Sequence, residues 1–179
     1  MSFKRVKFVN IIYLPLTLTM SDNEFEKNDS GAANFYFAEA GRMKPGSLIM
    51  MKGAFPCRVV HMSTAKPGKH GSAKAMISAK DIFTDKQYEE SFGTGDNIPA
   101  PTVTKVEYVT LDVDNDGVVT LLTPDGDTKE DLSFPTENHL SHLNKKIREI
   151  LAEGKKECLI TVQKWGDTEQ IISVREGQD

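Results

Sequence analysis

The chain is poor in aromatic residues, in cysteine and in long apolar runs, and each shortage removes a class of function. Aromatics make up 8% of its 179 residues, with a single tryptophan. In the second half Tyr108, Phe134 and Trp165 are the main candidates for stacking bases, a thin platform for a sequence-tolerant single-strand binder. Cys57 and Cys158 lie far apart with no Cys-x-x-Cys or Cys/His spacing beside them. That excludes a disulfide framework or a zinc site and points to reduced intracellular thiols. The longest apolar run, Phe8 to Leu18, follows Lys4, Arg5 and Lys7 in the manner of a secretory leader. Asn10 and Pro15 interrupt it, no small-residue cleavage site follows, and it is too short to span a bilayer as a helix. Met20-Ser21-Asp22 then opens a polar stretch, so Met20 reads as the working start, with a functioning leader as the alternative.

Charge of one sign is also lacking overall, at −4, which argues against a generally basic nucleic-acid binder. Its distribution is uneven. Residues 34–101 carry a net +3 and residues 102–179 a net −7, so two units with different surfaces are expected and a polyanion should meet the first. Residues 1–34 read as a disordered extension, 35–101 as a first barrel and 102–179 as a second. The aperiodic, proline-bearing stretch Gly95–Val103 reads as the linker between them.

What is present is mainly β. Short runs at Ser47–Met51, Phe55–Met62, Ala73–Ala79 and Lys86–Phe92 are punctuated by Lys52-Gly53, a glycine-bearing loop and Thr84-Asp85. Such strands bury a core only by closing into a small barrel. The second half reads as strands at Val106–Val113, Val118–Leu122 and Thr128–Phe134, a helix over Glu137–Gly154, and strands at Glu157–Gln163 and Thr168–Val174. Leu140, Leu143, Ile147, Ile150 and Leu151 share one face of the helix; Thr136 is its expected cap and Gly154 its stop. Three strands, a helix and two strands is the element order of an OB-fold.

Three chemical motifs fail on inspection. A Walker loop needs glycine where Ser63 stands and a hydroxyl where His70 follows Lys69. Asp112, Asp114, Asp116 and Gly117 match the opening of a calcium loop, but Thr123 replaces the bidentate glutamate and strands flank it, so an Asp-Gly hairpin is expected. His61, His70, His139 and His142 are scattered and specify no acid–base pair.

The stretch STAKPGKHGSAK, Ser63 to Lys74, remains. It places Lys66, Lys69, His70 and Lys74 on one loop, with Gly68 and Gly71 on either side of the Lys69-His70 pair. Both glycines tolerate positive φ, so a tight turn would project Lys69 as a cation on an arm suited to phosphate contacts. From residues alone a solvated basic turn without a role remains the alternative.

This loop resembles that of the eukaryotic translation initiation factor 5A family, which reads close to STSKTGKHGHAK. The likeness extends through KPGSLIMMKGAFPCRVV (Lys44–Val60), DIFTDKQYEE (Asp81–Glu90), EDL (Glu130–Leu132) and LITV (Leu159–Val162), and covers roughly Phe35 to Val174. The resemblance implies an SH3-like barrel followed by an OB-fold with one helix between its third and fourth strands. It implies that Lys69 is the lysine converted to hypusine, with Ser63, Thr64, Lys66, Gly68, His70, Gly71 and Lys74 as loop support and RNA contacts. The implied partners are deoxyhypusine synthase and deoxyhypusine hydroxylase, the ribosome and the acceptor end of peptidyl-tRNA. The implied protein is cytoplasmic, without membrane contact, a monomer or weak dimer. It carries no cofactor of its own and is no catalyst, because NAD, spermidine and iron belong to the modifying enzymes. The implied role is to promote peptide-bond formation at stalled sequences such as proline runs, and termination. An OB-fold RNA-binding module with an unmodified loop is the alternative function, and a nucleotide-dependent enzyme a weaker one. Ala65, Pro67 and Ser72 depart from the family loop, and Pro67 fixes φ two residues before Lys69.

Overall fold

The computed structural model describes residues 34–66, 68 and 71–177. The expected disordered extension therefore lies outside the described residues except for Asn34.

In the first half, strands β1 (Phe35–Glu39), β2 (Leu48–Met51), β3 (Phe55–Ala65), β4 (Lys74–Asp81), β5 (Gln87–Gly93) and β6 (Asn97–Pro101) surround a small core. Four of them form an antiparallel sheet in the order β2-β3-β4-β5, and β1 pairs with β6 as a separate ribbon. Alternation along β4 turns Ala75, Ile77 and Ala79 inward, where they meet Ile49, Met51 and Val59. Lys52 (φ 53°) and Gly53 (φ 69°) make the tight turn from β2 to β3, the mirror-image type that matches strand twist.

Two expectations need correction here. Most of the stretch read as a linker is strand: Asn97–Pro101 pairs along its length with β1 and buries Ile98, Ala100 and Pro101. Prolines are tolerated there because β6 has a neighbour on one side only, so a missing N–H leaves no gap in a central ladder. No strand is expected from sequence at Phe35–Glu39, yet that segment is the partner that makes β6 a strand.

The second half holds β7 (Thr104–Val113), β8 (Val118–Leu122), β9 (Thr128–Ser133), α1 (Ser141–Glu153), β10 (Cys158–Trp165) and β11 (Thr168–Glu176). The sheet runs β11-β10-β7-β8-β9, with α1 between its third and fourth strands in chain order. Leu143, Ile147 and Ile150 of the helix pack onto Leu121, Ile160 and Ile171 of the strands. The architecture is mainly β, an SH3-like barrel followed by an OB-fold. Its edge strands β9 and β11 meet through the Lys129–Glu169 ion pair at 2.9 Å.

The helix stops as expected, at Gly154 in the left-handed region, whose N–H reaches Ile150 O. It does not start at Thr136. The chain enters through a turn in which Leu140 N bonds Glu137 O, and Leu140 takes the capping position without a side-chain cap bond. The Ser141 hydroxyl instead turns back to donate to Asn138 O. The Asp-Gly segment is the expected hairpin turn: Asp114 Oδ1 accepts Val118 N and Gly117 has φ 86°.

The barrels are joined by a polar seam. Gln163 and Gln170, opposite one another on β10 and β11, are both buried. Gln163 Nε2 donates to Ile82 O and Gln170 Nε2 to Phe83 O, each at 3.1 Å, so a cross-strand pair binds two successive carbonyls of the β4–β5 turn. Trp165 Nε1 donates to Asn34 O at 3.0 Å, where Thr102 N also bonds.

Candidate functional site

The hairpin β3–β4 extends well beyond β2, with β5 alongside β4 as far as the Lys74–Gly93 pair. Arg58 is the last β3 residue paired with β2, and the strand continues to Ala65, roughly 23 Å further at about 3.3 Å per residue. Along that extension Ala65 pairs with Lys74, Thr64 with Ala75 and Ser63 with Met76. Ser63, Thr64, Ala65 and Lys66 are all exposed, as β3 has lost its β2 neighbour there.

Of the loop residues singled out from sequence, Ser63 and Thr64 lie on β3 and Lys74 starts β4. Lys66 and Gly68 are exposed, and Gly71 is half-buried. Gly68 has φ 74°, a conformation that favours glycine, and a Cβ built there would meet nothing within 4 Å. Pro67, Lys69 and His70 lie outside the described residues. Neither Lys66 nor Lys74 enters an ion pair among the described residues, so no acidic neighbour there neutralises the base of the arm.

One side of the loop is anchored by residues that no motif pointed to. Thr94 N donates to Ala73 O at 3.0 Å, and Thr94 O accepts Gly41 N at 2.8 Å. Asp96 Oδ2 accepts Gly93 N, and Asp96 O accepts Ala40 N at 2.8 Å. The return strand of the loop is thus tied through the β5–β6 turn to the short 3-10 turn Ala40–Arg42. A Cβ at Gly41 would sit 2.7 Å from Thr94 O, which gives Gly41 a packing reason visible only in three dimensions.

Below the loop, a groove of about 500 Å³ runs over the outer face of β3, β4 and β5. His61, Met76, Glu89 and Glu90 line it, so it offers carboxylates rather than a continuation of the cationic arm. Cys57, at the base of β3, is buried; burial first, with Asp81 nearby second, pushes its thiol up to about 12. A thiol that stays protonated is a packing group rather than a nucleophile. His139 and His142 are both exposed.

Comparison with known proteins agrees with this architecture. A family model described as Translation initiation factor 5A-like, N-terminal, matches residues 34–96. Another, described as Eukaryotic elongation factor 5A hypusine, DNA-binding OB fold, matches residues 102–175. Eukaryotic translation initiation factor 5A-3 of Arabidopsis thaliana is 40% identical over 159 residues, which cover 88% of this chain and 98% of the relative. Eukaryotic translation initiation factor 5A of Dictyostelium discoideum is 38% identical over 162 residues, 87% of this chain and 98% of the relative. Among solved structures, a translation initiation factor eif-5a family protein from Naegleria fowleri superposes with a TM-score of 0.72 at 35% identity, over 80% of this chain and 99% of that one.

Proposed function

The chain belongs to the eukaryotic translation initiation factor 5A family, and from that premise we propose that it is a cytoplasmic translation factor whose Lys69 is converted to hypusine. In this reading deoxyhypusine synthase transfers the aminobutyl group of spermidine to the Lys69 amine, and deoxyhypusine hydroxylase then hydroxylates the product. The chain itself is the substrate of both enzymes and catalyses neither step. The observation that carries the reading is the match of Ser63 to Lys74 to the family's loop sequence, in the segment that leaves β3 at Ala65 and rejoins β4 at Lys74.

The physical logic follows from that placement. A lysine arm carries one charge and ends in three donors. The modification nearly doubles its reach and adds a second amine and a hydroxyl, so one side chain can bond phosphate, 2′-OH and base edges together. Ser63, Thr64, Lys66, Gly68, His70, Gly71 and Lys74 present this arm and contact the surrounding RNA. The partner we propose is the ribosome beside peptidyl-tRNA, with the arm at the acceptor end. There the factor promotes peptide-bond formation at stalled sequences such as proline runs, and termination. The bond-making chemistry stays with the ribosome, and the factor supplies orientation, an entropic contribution to the barrier.

Tandem mass spectrometry of the Lys69 peptide from native cells tests the reading. A hydroxylated aminobutyl group on Lys69 is the expected result. Bare lysine would overturn it and favour a module that contacts RNA through charge alone.

A further inference from the structure

A second groove, of about 310 Å³, lies at the junction of the two barrels, at the end of β3 and β4 remote from the Ser63–Lys74 loop. Its lining combines cations from both barrels with an aliphatic floor. Arg58 and Lys80 come from the first barrel and Lys105 from the second, with the His139 imidazole beside them. Two carboxylates are also present, and both are occupied. Asp85 Oδ2 pairs with Lys80 at 2.8 Å, and Asp81 Oδ1 accepts the N–H groups of Phe83 and Thr84. Arg58 and Lys105 have no ion-pair partner among the described residues, although the second barrel as a whole is acidic.

The floor has an unusual origin. Val59 pairs with Ala79 and His61 with Ser78, so Val60 is the extra residue of a bulge in β3. Thr161 pairs with Ser173 and Val162 with Ile171, so Ile172 is the extra residue of a bulge in β11. Each barrel thus spends a bulge, a device that re-aims a side chain, at the same groove. Val60 remains 49% exposed there. Gln163, which also lines the groove, fixes the two walls through its bond to Ile82 O.

We propose that this junction groove binds an RNA sugar-phosphate segment, with phosphates at Arg58 and Lys105 and ribose against Val60 and Ile172. The inference rests on the RNA setting proposed above and adds a second contact surface to it. The RNA setting proposed above, rather than the backbone geometry of the groove, favours a nucleic-acid backbone over an acidic peptide. An extended peptide gains its affinity by adding to a free strand edge. Strand edges do reach this groove, because β7 pairs with β8 only from Val109 onward and so leaves Lys105 bonded on the β10 side alone, and β11, which carries Ile172, is an edge strand; the oligoglutamate arm of the test therefore decides between the two occupants. Cations above an aliphatic floor need no free edge to hold a phosphodiester.

The test titrates the full chain, with Lys69 unmodified, against a dodecameric oligouridylate at low salt, reading backbone amide shifts and the salt dependence of affinity. Shifts at Arg58, Lys105 and His139 are expected. Arg58→Gln with Lys105→Gln should weaken binding about tenfold and reduce the salt slope by about 1.4, at about 0.7 per single-strand phosphate. No side-chain hydrogen bond or ion pair of Lys105 exists among the described residues, so Lys105→Gln alone checks the effect in an unperturbed fold. Shifts confined to the Ser63–Lys74 loop, or an unchanged slope, would overturn the proposal. So would an oligoglutamate of equal length that moves the groove amides as strongly as the RNA. The modification plays no part in the titration, so bare lysine in native cells would sink the hypusine reading while leaving this result standing.

Discussion

Replacing the seam glutamines by methionine, a residue of similar shape without hydrogen-bonding groups, tests how the two barrels are held. Gln163 is 3% exposed and Gln170 8%, so each substitution strands a carbonyl, Ile82 O or Phe83 O, in a dry seam. An orphaned buried acceptor costs about 1–3 kcal/mol. The two costs should differ. Gln170 Oε1 is buried without a partner, so Gln170→Met removes one strained group while it strands another. Gln163→Met should therefore cost about 2 kcal/mol and Gln170→Met about 1 kcal/mol or less. Because the two residues are direct cross-strand neighbours, the double variant should depart from additivity. Urea unfolding followed by both circular dichroism and Trp165 fluorescence reads this, since the Trp165 indole bonds the Asn34 carbonyl at the foot of β1. In the parent protein the two transitions should coincide. In the double variant the fluorescence transition should come first, as the seam opens before the barrels melt. Coincident transitions with a loss below about 0.5 kcal/mol would refute the clamp, because that is the scale of an ordinary surface substitution.

Other outcomes follow from the same contacts. Lys69→Arg keeps the charge but removes the amine that accepts the aminobutyl group, so translation of a proline-run reporter should fall to the level of the factor-free reaction; full activity would contradict the hypusine reading. The hydrogen bond from Lys164, and then the Lys129 ammonium 2.9 Å away, hold the Glu169 carboxyl below its usual range. Its contribution is fully present above the unfolded value near 4.5 and is lost as pH falls through the lower folded value. Glu169→Gln should cost about 1–2 kcal/mol at neutral pH, with the gap to the parent protein closing in acid unfolding curves. Gly41→Ala puts a Cβ 2.7 Å from Thr94 O and should lower stability by about 1–3 kcal/mol, with faster exchange of the Thr94 amide that anchors the loop. Cys57, buried with its thiol pushed up to about 12, should resist a thiol reagent at pH 8 until the first barrel unfolds.

Much of this fold was legible because it obeys a local period. The face of α1 carrying Leu143, Ile147 and Ile150, the Gly154 stop and the Lys52-Gly53 turn are written in spacing and turn chemistry. The illegible parts depend on partners distant in sequence. The β1–β6 ribbon reads as tail and linker until Phe35 is set against Pro101. β3 runs past Met62 to Ala65 because β4 still pairs it there, although both its faces have become polar and exposed. Thr94 and Gly41 hold the loop through backbone atoms, which leave no side-chain pattern to read. Gln163 and Gln170 look like solvated strand residues until the β4–β5 turn is packed on them.

The bulges lie between these cases and show where the sequence carried an unread signal. A half-buried strand alternates, so two adjacent β-branched residues ask one of them to face away from the core. Val59-Val60 and Ile171-Ile172 are such doublets, and each is resolved in the same way. Val59 and Ile171 enter their cores at 2% and 1% exposure, while Val60 and Ile172 are displaced by bulges onto the junction groove. Restoring simple alternation by replacing the outward member with threonine would cost neither core its packing. It would remove the apolar floor while leaving Arg58 and Lys105 in place. If the groove holds an RNA backbone, Val60→Thr with Ile172→Thr should weaken oligouridylate binding while leaving its salt slope unchanged, the opposite signature to removing the cations. A matched fall in slope would mean that the floor merely positions the charged rim, and that ribose makes no contact of its own.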